Sequence, residues 1–273
     1  MSMASAAETT APMIGRTRDA DGIVTLTFQR PERFNTLSRE MLEVLQGELE
    51  QAAADNSVRA VVLAGEGKAF CAGHDLKEMA ANRDRKFLHD LFEACSRLMM
   101  TIPSLPVPVI ARIDGIATAA GCQLVAACDL AICTNTSRFA TSGVKYGLFC
   151  STPMVALSRN VPRKAALEML MTGDFIDAAE AHRLGLVNQV VEPAEMDRAL
   201  GDLCARLVSK PRAVLAKGKR AFYRQLEMPL SDAYAFTSEV IVDNALDANA
   251  GEGFAAFAEK RPPVWPGQDE PSS

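Results

Sequence analysis

Hydrophobic and polar positions first fall into register at Gly22–Phe28, where Val24, Leu26 and Phe28 share one face and Thr25 and Thr27 the other. That period of two predicts a half-buried strand. Arg30, Pro31 and Asn35 mark a turn, and Ser38 is placed to cap a helix with Glu40 in its first turn. Met41, Leu42, Leu45, Leu49, Ala52 and Ala53 then recur at helical spacing to about Ala54. Val58–Ala64 reads as a short apolar strand running into a loop, Gly65–Asp75, rich in glycine and small residues. A polar helix follows over about 84–101, closed by Pro103, Pro106 and Pro108 before a strand at Val109–Ile113. Asp114-Gly115 turns the chain into the small-residue run Ala117–Ala127, which predicts a buried helix start able to approach another backbone closely. Asp129–Cys133 is a further strand, and beyond Pro153 helices are expected over about 162–171, 177–184, 193–208, 211–225, 230–247 and 251–259.

Strands and helices thus give way to a helical C-terminal third. The expected organisation is a loose tail over 1–14, a core over 15–192, a helical region over 193–265 and a second tail over 266–273. No fixed-period repeat interrupts this order.

Composition changes the picture only by exclusion. Hydrophobic residues make up 48% and charged residues 23% of 273, and the net charge of −5 offers no electrostatic footprint for nucleic acid. Any anionic ligand must be held by local cations or backbone N–H groups. The seven cysteines include no CxxC pair and the three histidines are scattered, so neither a metal site nor a disulfide framework is expected. No apolar run approaches the about 20 residues of a membrane span. The first 14 residues lack a signal-peptide or transit-peptide pattern, so the cytoplasm is the expected compartment.

Two loops carry candidate chemistry. The first ends Ala72-Gly73-His74-Asp75 and the second is Thr118-Ala119-Ala120-Gly121; each precedes a predicted helix. Unpaired N–H groups at helix starts attract negative charge. Two of them converging on one oxygen make an oxyanion hole, each donor contributing ~3–4 kcal/mol in a dry site. Tight turns with close helix packing are the alternative reading of the same residues.

The string Ala69–Met79, with Ala72-Gly73-His74-Asp75-Leu76 at its centre, resembles a motif of the crotonase (enoyl-CoA hydratase/isomerase) superfamily. Ile113–Gly115 through Gly121–Leu124 and Cys128-Asp129 is similar to that superfamily's second motif, and further matches run in order from Arg30-Pro31 to Lys260–Pro263. The segments 118–123, 147–153 and 161–170 are most similar to the branch of enoyl-CoA hydratase domain-containing protein 3. The resemblance implies an α/β (α+β) crotonase-like fold of repeated ββα units in two roughly perpendicular sheets. It also implies a C-terminal helical trimerisation region giving a homotrimer or dimer of trimers. The ligand implied is an acyl-CoA thioester, with coenzyme A as part of the substrate and no separate cofactor. Its carbonyl is expected at the backbone N–H groups of His74 and Ala120. Neither nucleic acid nor membrane is an expected partner.

Hydratases of this superfamily use two glutamates, and those positions fall on Gln123 and Gly143. An amide takes no proton, and a glycine leaves space where a carboxylate should stand. Substitutes are sought nearby. His74 can exchange a proton near neutral pH, or can serve through its backbone alone. Asp75 is placed to cap a helix starting at Leu76. Cys150 and Ser151 lie in a loop where a related dehalogenase branch carries its aspartate, while Lys145 and Tyr146 follow Gly143 closely. For the CoA end, Arg30, Arg33, Lys68, Lys77 and Lys260 are candidate phosphate partners, with Ala72, Asp75 and Leu76 beside them; Lys260 best matches the superfamily tail. The readings left open are a hydratase or isomerase, another thioester reaction such as hydrolysis, and a non-catalytic acyl-CoA-binding protein.

Overall fold

The structure is a computed structural model that describes residues 12–266. The tails expected over 1–14 and 266–273 therefore lie largely outside the described residues, though Ile14 already begins a strand. The larger sheet has the order β1 (Ile14–Arg18), β2 (Ile23–Phe28), β3 (Ala60–Gly65), β5 (Val109–Ile113), β7 (Leu130–Thr134) and β10 (Gln189–Val191). β1 and β2 pair antiparallel; every later pair in this sheet is parallel. The smaller sheet has the order β4 (Ala69–Cys71), β6 (Ile116–Thr118), β8 (Arg138–Ala140) and β9 (Ile176–Asp177). Successive pairs such as β3–β4, β5–β6 and β7–β8 each hand one strand to either sheet, which is the ββα repeat expected.

The parallel strands read as apolar runs because both faces are covered. Val61 and Leu63 join one core with Val24, Leu26, Phe28, Val109 and Ile113. Their neighbours Ala60 and Val62 point to the opposite face and pack with Ile23, Ile110 and Ile132. Helix α8 (Met196–Val208) seals that second face through Met196 and Ala199.

Helix α1 (Arg39–Ala54) starts where its cap was expected, the Ser38 hydroxyl accepting from Met41 N at 3.1 Å. Helices α2 (Leu76–Ala81), α3 (Arg85–Ser104) and α4 (Ala120–Ala127) follow the first two strand pairs. Every residue of α4 from Ala120 to Ala126 is buried, so this helix runs through the middle of the molecule. Helices α5 (Pro153–Asn160), α6 (Arg163–Thr172) and α7 (Ala178–Arg183) lead to α8, α9 (Arg212–Gln225), α10 (Leu230–Leu246) and α11 (Ala248–Glu259).

Helix α9 is docked by a half-buried polar cluster. The Asp129 carboxylate accepts from Val109 N at 2.7 Å, Lys219 Nζ at 2.6 Å and Tyr223 Oη at 2.9 Å. Lys219 also donates to the carbonyls of Ile102 and Val107. The Cys128-Asp129 motif is thus a structural joint. By contrast, α10 and α11 leave large apolar side chains in the open, Leu246 at 82% and Phe257 at 87% exposed.

Candidate functional site

The two small-residue loops meet. Loop one is held from behind by residues 34–37, with Ala72 N donating to Phe34 O at 3.0 Å and Leu37 N to Gly73 O at 2.8 Å. That segment is itself pinned by the fully buried Asn35, whose Nδ2 donates to the carbonyls of Glu66 and Ala69 while its Oδ1 accepts from Arg30 N. Loop two is fixed by Ala119 N donating to Ala140 O at 2.9 Å and by a Thr118–Ser142 hydroxyl contact of 2.8 Å. Gly73 adopts φ +90, and a Cβ there would stand 2.8 Å from Ala119 Cβ and 3.2 Å from Ala120 N. A Cβ on Gly121 would stand 2.0 Å from Cys71 O. Only glycine permits these two approaches.

Ala119 holds φ 50 and ψ −120, a conformation a residue with a Cβ seldom adopts, at the cap of α4. Neither the His74 nor the Ala120 backbone N–H donates to an acceptor among the described residues. An unpaired backbone donor shielded from water costs ~1–3 kcal/mol. Two of them at neighbouring loops mark a place suited to an acceptor oxygen.

Both loops border a pocket of about 270 Å³. Of the residues singled out from sequence, Ala72, His74, Leu76, Ala120, Gly143, Tyr146, Cys150 and Ser151 line it. Sequence reasoning missed Met79 of α2, Phe92 of α3, Ser142 and the pair Leu148-Phe149. An apolar pair directly after a glycine in a loop was the available signal for the last of these. Among the described residues, no Asp, Glu, Lys or Arg lines the pocket.

The two expected glutamate positions differ from the expectation. Gln123 is 4% exposed, does not line the pocket, and places Oε1 4.0 Å from Cys95 Sγ on α3. Gly143 does not leave a free space: a Cβ there would lie 2.6 Å from Leu148 O and 2.8 Å from Cys150 Sγ. The thiol occupies the ground where a side chain at 143 would begin, and Gly143 N donates to it at 3.3 Å. Burial raises the Cys150 pKa, so it is a thiol rather than a ready nucleophile. Ser151 Oγ lies 3.3 Å from Phe149 O, with no basic side chain bonded to it.

The His74 ring is packed away from any ionised partner. Its ring Nδ1 lies 3.2 Å from Leu37 O, the ring stands edge-on to Phe92 at 5.2 Å, and the buried Nε2 has no partner. Desolvation lowers its pKa, partly opposed by the Leu37 carbonyl, so the neutral ring with Nδ1 donating fits best. Asp75 is the helix cap, accepting from Lys77 N at 2.9 Å and Glu78 N at 3.2 Å. Arg33 stands 3.7 Å from that carboxylate, Arg30 donates to the carbonyls of Pro12 and Gln29, and Lys145 is paired with Asp174 at 2.7 Å. Lys68 and Lys260 are exposed, Lys260 at the end of α11, and none of the cations expected for CoA borders the pocket.

All seven cysteines are buried and free. Among the described residues His89, Asp90 and Glu93 of α3 bring three potential metal ligands together. Asp90 is already paired with Lys86 at 2.6 Å, and His89 is not at the pocket.

This geometry can be set beside known proteins. The family model described as enoyl-CoA hydratase/isomerase matches residues 18–268. The chain belongs to that family. Enoyl-CoA hydratase domain-containing protein 3, mitochondrial, from Homo sapiens is 46% identical over 248 residues, covering 91% of this chain and 82% of the relative. Its Rattus norvegicus counterpart is 44% identical, covering 93% and 85%. Two solved structures superpose closely. An enoyl-CoA hydratase of Mycobacterium smegmatis has TM-score 0.92 at 55% identity, covering 93% of this chain and 99% of its own. Human enoyl-CoA hydratase domain-containing protein 3 has TM-score 0.90 at 45% identity, covering 93% and 100%. The crotonase fold and its domain-containing protein 3 branch, read from the motifs, stand.

The cytoplasmic expectation does not stand, because these vertebrate relatives are named mitochondrial. That expectation rested on the lack of a leader pattern in the first residues, of which 1–11 lie outside the described residues. No helix among the described residues is long and apolar enough to cross a membrane.

Proposed function

We propose that this chain binds acyl-CoA thioesters in the pocket, the thioester oxygen accepting from the backbone N–H groups of His74 and Ala120. The observation that carries this reading is the pair of unpaired donors at the junction of loops one and two, beside an apolar pocket. Charge that develops on the oxygen of an enolate meets donors already in place, which is the arrangement that stabilises it. The reaction class is that of the family, hydration or isomerisation through a thioester enolate. Hydration is slow, because no carboxylate borders the pocket to move protons. Hydrolysis by Cys150 or Ser151 is less well supported, since the thiol pKa is raised and neither group has a base. The same lack of acid–base groups favours a second reading, an acyl-CoA-binding or regulatory protein without turnover. Turnover of a panel of acyl-CoAs separates the two. Calorimetry tests the shared premise: wild type should bind crotonyl-CoA, and Ala120→Pro, which removes one donor, should bind it more weakly. A well-folded wild type that binds no CoA thioester refutes the proposal.

For the CoA phosphates we propose Arg33, beside loop one, with Arg30, Lys68 and Lys260 as further cations. The exposed apolar side chains of α10 and α11 support a homotrimer or a dimer of trimers. Light scattering at micromolar concentration should give a trimer or hexamer, and a monomer would refute the assembly.

A further inference from the structure

We infer that the pocket selects uncharged, apolar acyl chains of medium length and rejects acyl groups that end in a carboxylate. This rests on the acyl-CoA reading above and deepens it.

Three observations carry it. The first is chemical. Away from the two backbone donors, the walls are Met79 of α2, Phe92 of α3 and the loop pair Leu148-Phe149. Among the described residues no Lys or Arg lines the pocket; of the two cations next in sequence to a lining residue, Lys145 is committed to Asp174 at 2.7 Å and Lys77 is exposed. The one histidine there, His74, is neutral because burial lowers its pKa. A carboxylate entering this space loses its water and meets no cation, and the hydroxyls of Ser142 and Ser151 that line it are already engaged with Thr118 and Phe149 O.

The second observation is size. A volume of about 270 Å³ far exceeds an acetyl group. At about 30 Å³ per water-sized group, it has room for roughly nine methylene-sized units.

The third is the rim. Leu76, Tyr146, Leu148 and Phe149 line the pocket and are nonetheless substantially exposed. Large apolar side chains gathered around the mouth of an apolar pocket extend the surface that a longer chain can cover.

The experiment is calorimetric titration of the full chain with acetyl-, butanoyl- and octanoyl-CoA, and with octanedioyl-CoA, the same length but carboxylate-ended. Affinity should rise along the apolar series by about fourfold for each methylene fully buried, so that octanoyl-CoA exceeds acetyl-CoA by at least ~50-fold. Octanedioyl-CoA should bind at least ~10-fold more weakly than octanoyl-CoA. A flat series with measurable acetyl-CoA binding, or equal affinity for the two eight-carbon ligands, overturns this inference and leaves the acyl-CoA reading intact. Failure of every thioester to bind overturns both. Phe149→Asp supplies an independent arm, since Phe149 is 46% exposed and lies outside the buried core. With an unchanged melting temperature, this variant should lower the octanoyl-to-acetyl affinity ratio at least ~10-fold. An unchanged ratio refutes the chain's path along Phe149.

Discussion

One wall of the pocket, residues 72–74 with 118–121, is built from backbone; the other, residues 142–153, is built from side chains and a loop. In the first wall the functional groups are N–H donors, and the side chains are small because two chain segments must touch. Gly73 and Gly121 approach Ala119 and Cys71 too closely for any Cβ. In the second wall, Leu148 O and Cys150 Sγ fill the ground beside Gly143. A backbone donor survives replacement of its own side chain, whereas a carboxylate does not. The first wall therefore presents unpaired donors whatever its side chains, while the second presents no carboxylate among the described residues.

The comparison can be broken most forcefully at Gly121. Gly121→Val places atoms on Cys71 O, and a cost of about 3 kcal/mol or more is expected, read as a lower urea midpoint. A variant as stable as wild type would mean the loops do not meet as described. Next in size is catalysis. Crotonyl-CoA hydration should run at least ~100-fold below a two-glutamate relative, the low end of what positioned acid–base groups contribute. Robust turnover would show that some group outside the pocket wall carries the protons.

A sharper test asks whether the second wall can be repaired. Sequence alone suggests that Gln123→Glu with Gly143→Glu should restore hydration together. The structure predicts otherwise. Gly143→Glu should destabilise the fold by ~1–3 kcal/mol through overpacking against Leu148 and Cys150 and give no gain in rate. Gln123→Glu would bury a carboxylate beside Cys95. A large gain from the double change would show that the 147–152 loop yields readily.

The smallest effect concerns His74. Its folded pKa lies below the ordinary value of 6.5 because its ring is desolvated. The unfolded chain therefore takes up the proton first as pH falls. This contribution to stability is complete above about 6.5 and is lost as pH falls from there toward the depressed folded pKa. His74→Gln should flatten that part of the stability profile in urea titrations between pH 7 and 5. An unchanged profile would place the ring in water.

Much of this was legible in the chain. Ser38 and Asp75 are legible as helix caps from residue type and position, and both caps form. The strands β4, β6 and β8 were not, since three residues carry no period to detect, and their flanking glycines look like loop. Nor did Met79 and Phe92 stand out, because apolar residues on a helix read as core wherever they point.

The sequence by itself determined which groups the two walls can offer. Backbone donors follow from small residues before a helix, and the lack of a carboxylate at 123 and 143 from Gln123 and Gly143. Only the tertiary structure decided where those atoms stand. It turned the His74 ring to Leu37, set Gln123 against Cys95, and put a thiol and a carbonyl on the ground beside Gly143. The reason is physical. Residue type sets what a group can donate or accept, but whether there is room for it, and whether water reaches it, depends on segments distant in sequence packing at a few ångströms.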